Sequence, residues 1–220
     1  LDALSSASTD RYWRYALWLA AFTILYNLAE GAASVYFGAQ DEALTLFGFG
    51  VDSFIEVMSG AGVLAMVLRI RQDPRAPRSR FERKALQTTG TSFYVLAVGL
   101  GITAFYNLIT VHKPTTTVPG LLISIASIGV MWALVRGKRI VGSALDSAPI
   151  LADANCTLVC IYMSLVLLAA SLVYQLTGLG FIDSLGAIGL IYFSLHEGRE
   201  SFEKAARLDD CDDSEPHLRL

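Results

Sequence analysis

Six long apolar runs, separated by short polar or charged links, set the plan of the chain. They fall near 15–38, 43–68, 85–111, 118–135, 149–177 and 179–196. A helix needs about 20 apolar residues to cross the hydrocarbon core, so all six are long enough or nearly so, and the longer ones can tilt or project beyond the lipid. Gly178, Leu179 and Gly180 predict a tight hairpin between the last two. The pattern therefore predicts an all-α membrane protein with six transmembrane helices.

The links fix the orientation. Arg69, Arg71, Arg75, Arg78, Arg80, Arg83 and Lys84 lie between runs two and three, and Arg136, Lys138 and Arg139 between runs four and five. Arg11 and Arg14 precede the first run; Arg199, Lys204, Arg207 and Arg219 follow the last. Every basic residue except Lys113 then falls on one side, and the positive-inside rule places both termini in the cytoplasm. The arginine-rich link is read as a topogenic and lipid-headgroup contact in preference to a specific binding site. The expected division is a cytoplasmic tail over 1–14, a transmembrane domain over 15–205 and an acidic tail over 206–220.

Composition agrees. Of the 220 residues 54% are hydrophobic, and a net charge of −3 hides charges crowded into a few short stretches. Basic residues that flank apolar runs, with no aromatic-interleaved stripe, argue against a nucleic-acid partner. Two of the three cysteines, Cys156 and Cys160, lie inside an apolar run, which is not a disulfide framework. The first residue is Leu1, which reads as a processed or trimmed N-terminus, and no cleavable signal is visible. The lipid bilayer is the first partner expected, in a multi-pass protein of a bacterial inner or plasma membrane.

Candidate chemistry begins where the apolar pattern is broken. Asp52 and Glu56 lie one helical turn apart in run two and share a face. A charge at the bilayer centre costs about 2.5 to 3.5 kcal/mol even on lenient insertion scales. The acidic residues of the six runs are Glu30, Asp52, Glu56, Asp153 and Asp183, with no Lys or Arg well inside any run. The expected counter-charges are therefore protons or an imported cation. Asp183, close to the outer end of run six, reads as a helix N-terminal or interfacial carboxylate.

Run five supplies a complement. Asp153, Cys156 and Cys160 fall at i, i+3 and i+7 and share a face. At 1.5 Å per residue, Glu56 lies about 18 Å and Cys160 about 16 Å above the inner ends of their helices, so Asp52, Glu56, Cys156 and Cys160 can meet near the midplane. Two carboxylates and two sulfurs suit a tetrahedral divalent ion: zinc first, with cadmium, iron, cobalt or manganese as other candidates. Fully ionised, these four groups outweigh a divalent ion by two charges. Protons must then stay, or return when the metal leaves, which is the physical basis of exchanging metal against protons.

The remaining polar groups are open to more than one reading. Asn27 and Glu30 share a face of run one, with Ser34 a turn further; Glu30 would gate, shuttle a proton or stand behind a ligand, or else be a protonated carboxyl bonded to a neighbouring helix. Asp153 is assigned with them as a supporting or proton-relay group. Gly90, Gly99, Gly101, Gly120 and Gly129 in runs three and four read as packing contacts between helices or between subunits. Cys211 and His217 offer metal contacts in the acidic tail, although a solvated tail is the favoured reading. An enzyme is disfavoured: no Ser/His or His-Glu-x-x-His arrangement lies within a run, and His196 and Glu197 sit at the exit of run six.

The run Val51-Asp-Ser-Phe-Ile-Glu56 resembles the Asp-x-x-x-Asp motif in span two of cation diffusion facilitators. Ala152-Asp-Ala-Asn-Cys-Thr-Leu-Val-Cys160 resembles their span-five pattern Ala-Asp-Ala-x-His-x-x-x-Asp. The resemblance places Asp52, Glu56, Cys156 and Cys160 on the four transport-site ligands, with Glu for the second Asp and two Cys for His and Asp. Asn27 is similar to an asparagine frequent in span one, and Asp183 to an aspartate near the start of span six. The likeness covers about residues 12–205, the transmembrane part only; the usual cytoplasmic C-terminal metal-binding domain is not expected in the roughly two dozen residues after run six. It implies a homodimeric exporter of divalent metal from the cytoplasm against protons, built as two inverted three-helix repeats with the site at their interface. A non-transporting metal-binding or sensing membrane module of the same fold is the alternative.

Overall fold

The computed structural model describes residues 2–40, 44–73, 77–110, 118–177 and 181–213. These form six helices: α1 (Asp2–Gln40), α2 (Leu44–Gln72), α3 (Arg78–Thr110), α4 (Val118–Ala144), α5 (Ala148–Thr177) and α6 (Phe181–Asp213). Among the described residues, five helices contain stretches long and apolar enough to cross a membrane, over Thr9–Phe37, Phe49–Gln72, Arg78–Tyr106, Leu121–Ala144 and Ala148–Leu165. The chain is an all-α, multi-pass membrane bundle. Residues 2–14 extend the first helix, and α6 runs on to Asp213.

Burial follows a helical period but with the polarity of a lipid-solvated bundle. The inward stripe of α1 is Trp13, Ala16, Ala20, Thr23, Asn27, Glu30 and Ser34, small or polar residues that permit close approach and interhelical hydrogen bonds. Its outer face carries Trp18, Phe22, Leu25 and Tyr36, the residues a hydrocarbon solvent accepts. Two close helix approaches use glycine. A Cβ on Gly50 of α2 would lie 2.8 Å from the backbone N of Val35 and 2.9 Å from the Gly31 carbonyl of α1. On Gly90 of α3 it would meet the Phe202 ring at 2.9 Å and the Gly198 carbonyl of α6 at 3.2 Å. Gly90 is thus a packing contact within the chain, whereas Gly99, Gly101 and Gly129 have open space beside them.

Helices α2 and α5 hold the middle. They pack on each other, α2 also on α1 and α3, and α5 also on α3, α4 and α6; α1 meets α4 and α3 meets α6. An apolar cluster at one end joins Trp13, Ala16, Val63, Met66, Val67, Ala85, Val141, Leu145 and Ile150 across five helices. A second joins Ile55, Phe93, Leu96, Cys156, Val159, Met163 and Leu190.

One sequence boundary is corrected. Run four does not end near 135: α4 continues to Ala144, so Arg136, Lys138 and Arg139 lie on the helix and the link shrinks to residues 145–147. The helix ends in a Schellman turn, with Ser147 N–H bonded to the Gly142 carbonyl at 2.9 Å, Asp146 N–H to Ser143 at 3.3 Å, and Asp146 left-handed at φ 48°. Pro149 sits in the first turn of α5, where a missing N–H costs nothing. Arg78 braces this corner from the start of α3: its Nη2 donates to the Leu145 carbonyl at 2.7 Å and the Asp146 carbonyl at 3.1 Å.

Candidate functional site

The period of α2 turns Asp52, Ser53, Glu56 and Ser59 inward and leaves Val51, Phe54 and Met58 outside. Asp52 and Glu56 are 3% and 1% exposed, so both carboxylates are removed from lipid and from water. Across from them α5 presents Asp153, Cys156, Thr157 and Cys160, all buried. The cysteines are free thiols. Cys160 lies against both the Asp52 and the Glu56 carboxyl, and Cys156 is within electrostatic reach of both and of Asp153. Cys156 also packs in the apolar cluster of Ile55, Phe93 and Val159.

Two carboxylate oxygens in this space, Asp52 Oδ2 and Glu56 Oε2, are buried and receive no hydrogen bond from the protein. Buried acceptors are nearly always partnered, since an unmet one costs about 1–3 kcal/mol and more when charged. Among the described residues, no three His, Cys, Asp or Glu side chains are drawn together closely enough to hold a metal ion. Part of the reason is visible in the other oxygen of Glu56. Oε1 accepts a hydrogen bond from Thr157 of α5, which engages that oxygen within the protein.

The expectation that no Lys or Arg lies inside the membrane segments is overturned here. Lys138 of α4 is 1% exposed, and its Nζ lies 2.8 Å from Asp153 Oδ2, 2.7 Å from Thr157 Oγ1 and 3.8 Å from Glu56 Oε1. A proton and an imported cation are therefore not the only counter-charges available, because the protein supplies its own ammonium. The sequence carried a signal for it: Met131, Leu134, Val135, Lys138 and Val141 form one buried stripe, with Arg136 and Arg139 on the exposed side. Reading the basic run as a link hid that period.

Asp153 is fully engaged, with Lys138 on one oxygen and Ser59 Oγ on the other at 2.7 Å; Ser59 in turn shares a hydrogen bond with Thr89 of α3 at 3.1 Å. Its chemistry is that of a counter-ion to Lys138. Ser59 and Thr157 were not singled out from the sequence, because isolated hydroxyls in apolar helices carry no distinguishing pattern.

Glu30 forms a separate polar patch toward α1. Tyr26 donates to its Oε1 at 3.2 Å and Ser53 to its Oε2 at 3.1 Å, so the carboxyl is tied to both α1 and α2. Asn27 donates to the Thr23 carbonyl at 2.9 Å, while its own Oδ1 is buried without a protein donor. Beyond the cluster, Asn155 Nδ2 donates to Glu197 Oε2 at 2.8 Å and links α5 to α6, and His196 stacks on Tyr192. The side chains of Asp183 and Cys211 lie outside the described residues, as do Lys113, the hairpin at 178–180 and His217.

The bundle and its buried carboxylates agree with a family comparison. The profile of the cation efflux transmembrane domain matches residues 17–208, nearly the whole chain. Among curated proteins none matches it.

Proposed function

Because this chain belongs to the cation efflux family, and is therefore a transport protein and not an enzyme, we propose that it exports a divalent transition-metal cation, zinc foremost, from the cytoplasm in exchange for protons. The metal is the cargo, and its midplane ligands are Asp52 and Glu56 of α2 with Cys160 and Cys156 of α5. The observation that carries this reading is the pair of buried carboxylate oxygens, Asp52 Oδ2 and Glu56 Oε2, that no protein group satisfies. With Lys138 balancing Asp153, the remaining carboxylates Asp52 and Glu56 already match a divalent ion in charge, so ligation by Cys156 and Cys160 as thiolates requires protons to leave the site. Deprotonation of the ligands on loading, and reprotonation on release, couples metal to protons. Glu30, bridged to α2 by Ser53, is placed to pass a proton between the site and α1.

The helix contacts support an inverted-repeat plan. Exchanging α1 with α4, α2 with α5 and α3 with α6 carries the α1–α2 contact onto α4–α5 and α2–α3 onto α5–α6, and leaves α1–α4, α2–α5 and α3–α6 in place; the α3–α5 contact has no α2–α6 counterpart of like extent among the described residues. On an inverted-repeat plan the site would lie at the α2–α5 contact, where alternating access needs it. Six spans, cytoplasmic termini and a homodimer complete the reading. The test is zinc-dependent proton flux in proteoliposomes: flux in the unaltered protein and none in Asp52→Asn supports it, and no flux in either rejects it. The competing reading is a non-transporting metal-binding module, favoured by Lys138 lying within reach of a ligand; it predicts metal binding without flux.

A further inference from the structure

Lys138 does more than neutralise a buried acid. We propose that its ammonium is a tethered counter-cation that competes with the incoming metal for Glu56, and so sets the affinity of the site. The inference rests on the metal-site reading above.

Three observations converge on it. Nζ is shared between a direct pair with Asp153 and a hydroxyl-bridged path, Lys138 to Thr157 to Glu56, that engages Oε1 of the carboxylate whose other oxygen, Oε2, is the unsatisfied one. The 3.8 Å separation of Nζ from Glu56 Oε1 is within the range of a direct ion pair, and a lysine stem can close or open it by rotating its terminal methylenes. Finally, the two groups that anchor Lys138 lie on the helix that carries the cysteines: Asp153 and Thr157 are successive turns of α5, one turn below Cys156 and Cys160. Glu56 therefore has two alternative cations. When metal arrives, Glu56 turns to it and the ammonium withdraws onto Asp153; when metal leaves, Lys138 is again shared by Glu56 and Asp153, and returning protons take up the charge that one ammonium cannot.

A purely structural ion pair and a competing cation make opposite forecasts. If Lys138 and Asp153 merely brace α4 against α5, breaking the pair from either side loosens the site and weakens metal binding. If Lys138 competes, Lys138→Met tightens binding by removing the competitor, whereas Asp153→Asn weakens it by releasing the ammonium onto Glu56. The measurement is calorimetric titration of the full chain in nanodiscs with cadmium and zinc chlorides. About tenfold tighter binding is expected for Lys138→Met and about tenfold weaker for Asp153→Asn, with Lys138→Arg near the unaltered protein. Should Lys138→Met fail to fold, as judged by circular dichroism, the doubly neutral Lys138→Met/Asp153→Asn variant serves, and tighter binding is again expected. Changes of the same sign in Lys138→Met and Asp153→Asn, or no change in the lysine variants, overturn the proposal. Binding that Asp52→Asn abolishes while the lysine variants leave it untouched rejects the competition alone. No binding in the unaltered protein, or none that Asp52→Asn alters, rejects the metal site as well.

Discussion

Lys138 Nζ sits 2.8 Å from Asp153 Oδ2 with both side chains no more than 2% exposed. A buried pair of this kind is weak as a source of stability but costly to break from one side, because the survivor is left charged in a low dielectric. Asp153→Leu is expected to destabilise the protein by about 3–5 kcal/mol, and Lys138→Met/Asp153→Leu to recover most of that loss. Thermal unfolding in detergent reads it; a double variant no more stable than Asp153→Leu would show that something other than the orphaned ammonium is responsible.

Asp52 is in the opposite position. It has a buried carboxylate oxygen without a hydrogen-bond partner and, among the described residues, no basic residue bonded to it. Keeping it is a cost to the fold, which is the mark of a residue held for function. Asp52→Asn should therefore leave the melting temperature equal or higher while lowering zinc-driven flux by at least about tenfold, and Glu56→Gln should lose flux likewise without gaining stability, since its amide accepts from Thr157 more weakly than a carboxylate and loses the attraction to Lys138. A Glu56→Gln protein more stable than the unaltered chain would contradict the Thr157 and Lys138 contacts.

The two cysteines are not equivalent. Cys160 faces both carboxylates, while Cys156 is shared with an apolar cluster. Replacing sulfur by oxygen hardens the ligand set, so Cys160→Ser should reduce the preference for cadmium over zinc by about tenfold, a shift worth about 1.4 kcal/mol. Cys156→Ser should shift it less and destabilise more, by burying a hydroxyl beside Ile55 and Val159. Competition transport assays with both metals decide; equal shifts from the two variants would make Cys156 a full ligand.

Much of this was legible in the sequence, for reasons that can be stated residue by residue. Apolar runs report burial in lipid directly, so six runs in the order of the six helices followed from hydropathy alone, and five of those helices, among the described residues, are long and apolar enough to span. Asp52 and Glu56 stood out because a carboxylate in such a run is expensive, and the i, i+4 spacing put them on one face. What hydropathy could not give was the far end of α4. In Val135-Arg-Gly-Lys-Arg139 three cations within four residues look like a cytoplasmic link, and only the angular position of Lys138, on the stripe of Met131, Leu134 and Val141, separates it from its neighbours. Thr157 and Ser59 were invisible for a different reason: a hydroxyl in an apolar helix ordinarily bonds its own backbone, and nothing local says that these also reach Glu56 and Asp153.

Gly50 separates packing from propensity. Its Cβ would fall at 2.8 Å from backbone and side-chain atoms of Val35, distances that a backbone neighbour cannot relieve. Gly50→Ala should push α1 from α2, misplace Asp52 two residues away, and cost about 1–3 kcal/mol. Gly99→Ala, beside open space, should be neutral or stabilising. If the two substitutions melt alike, the close α1–α2 approach is not a determinant of the bundle.

Arg78 links three parts of the basic end of the bundle through one guanidinium. Its Nε donates to Glu82 at 2.7 Å, its Nη2 caps the Leu145 and Asp146 carbonyls at the turn into α5, and its plane lies 5.2 Å from the Trp13 ring centre in α1. Only a planar fork can serve all three directions at once, so lysine is not equivalent here even though the charge is kept. The turn it caps joins α4, which carries Lys138, to α5, which carries Asp153. Arg78→Lys should therefore destabilise the protein by about 1–2 kcal/mol and Arg78→Ala by about 2–3. Hydrogen exchange should show the loss first at the amides of 145–151, where the carbonyl caps are removed, and not along α2. Protection lost evenly across the helices would mean that Arg78 supports the bundle only through its charge.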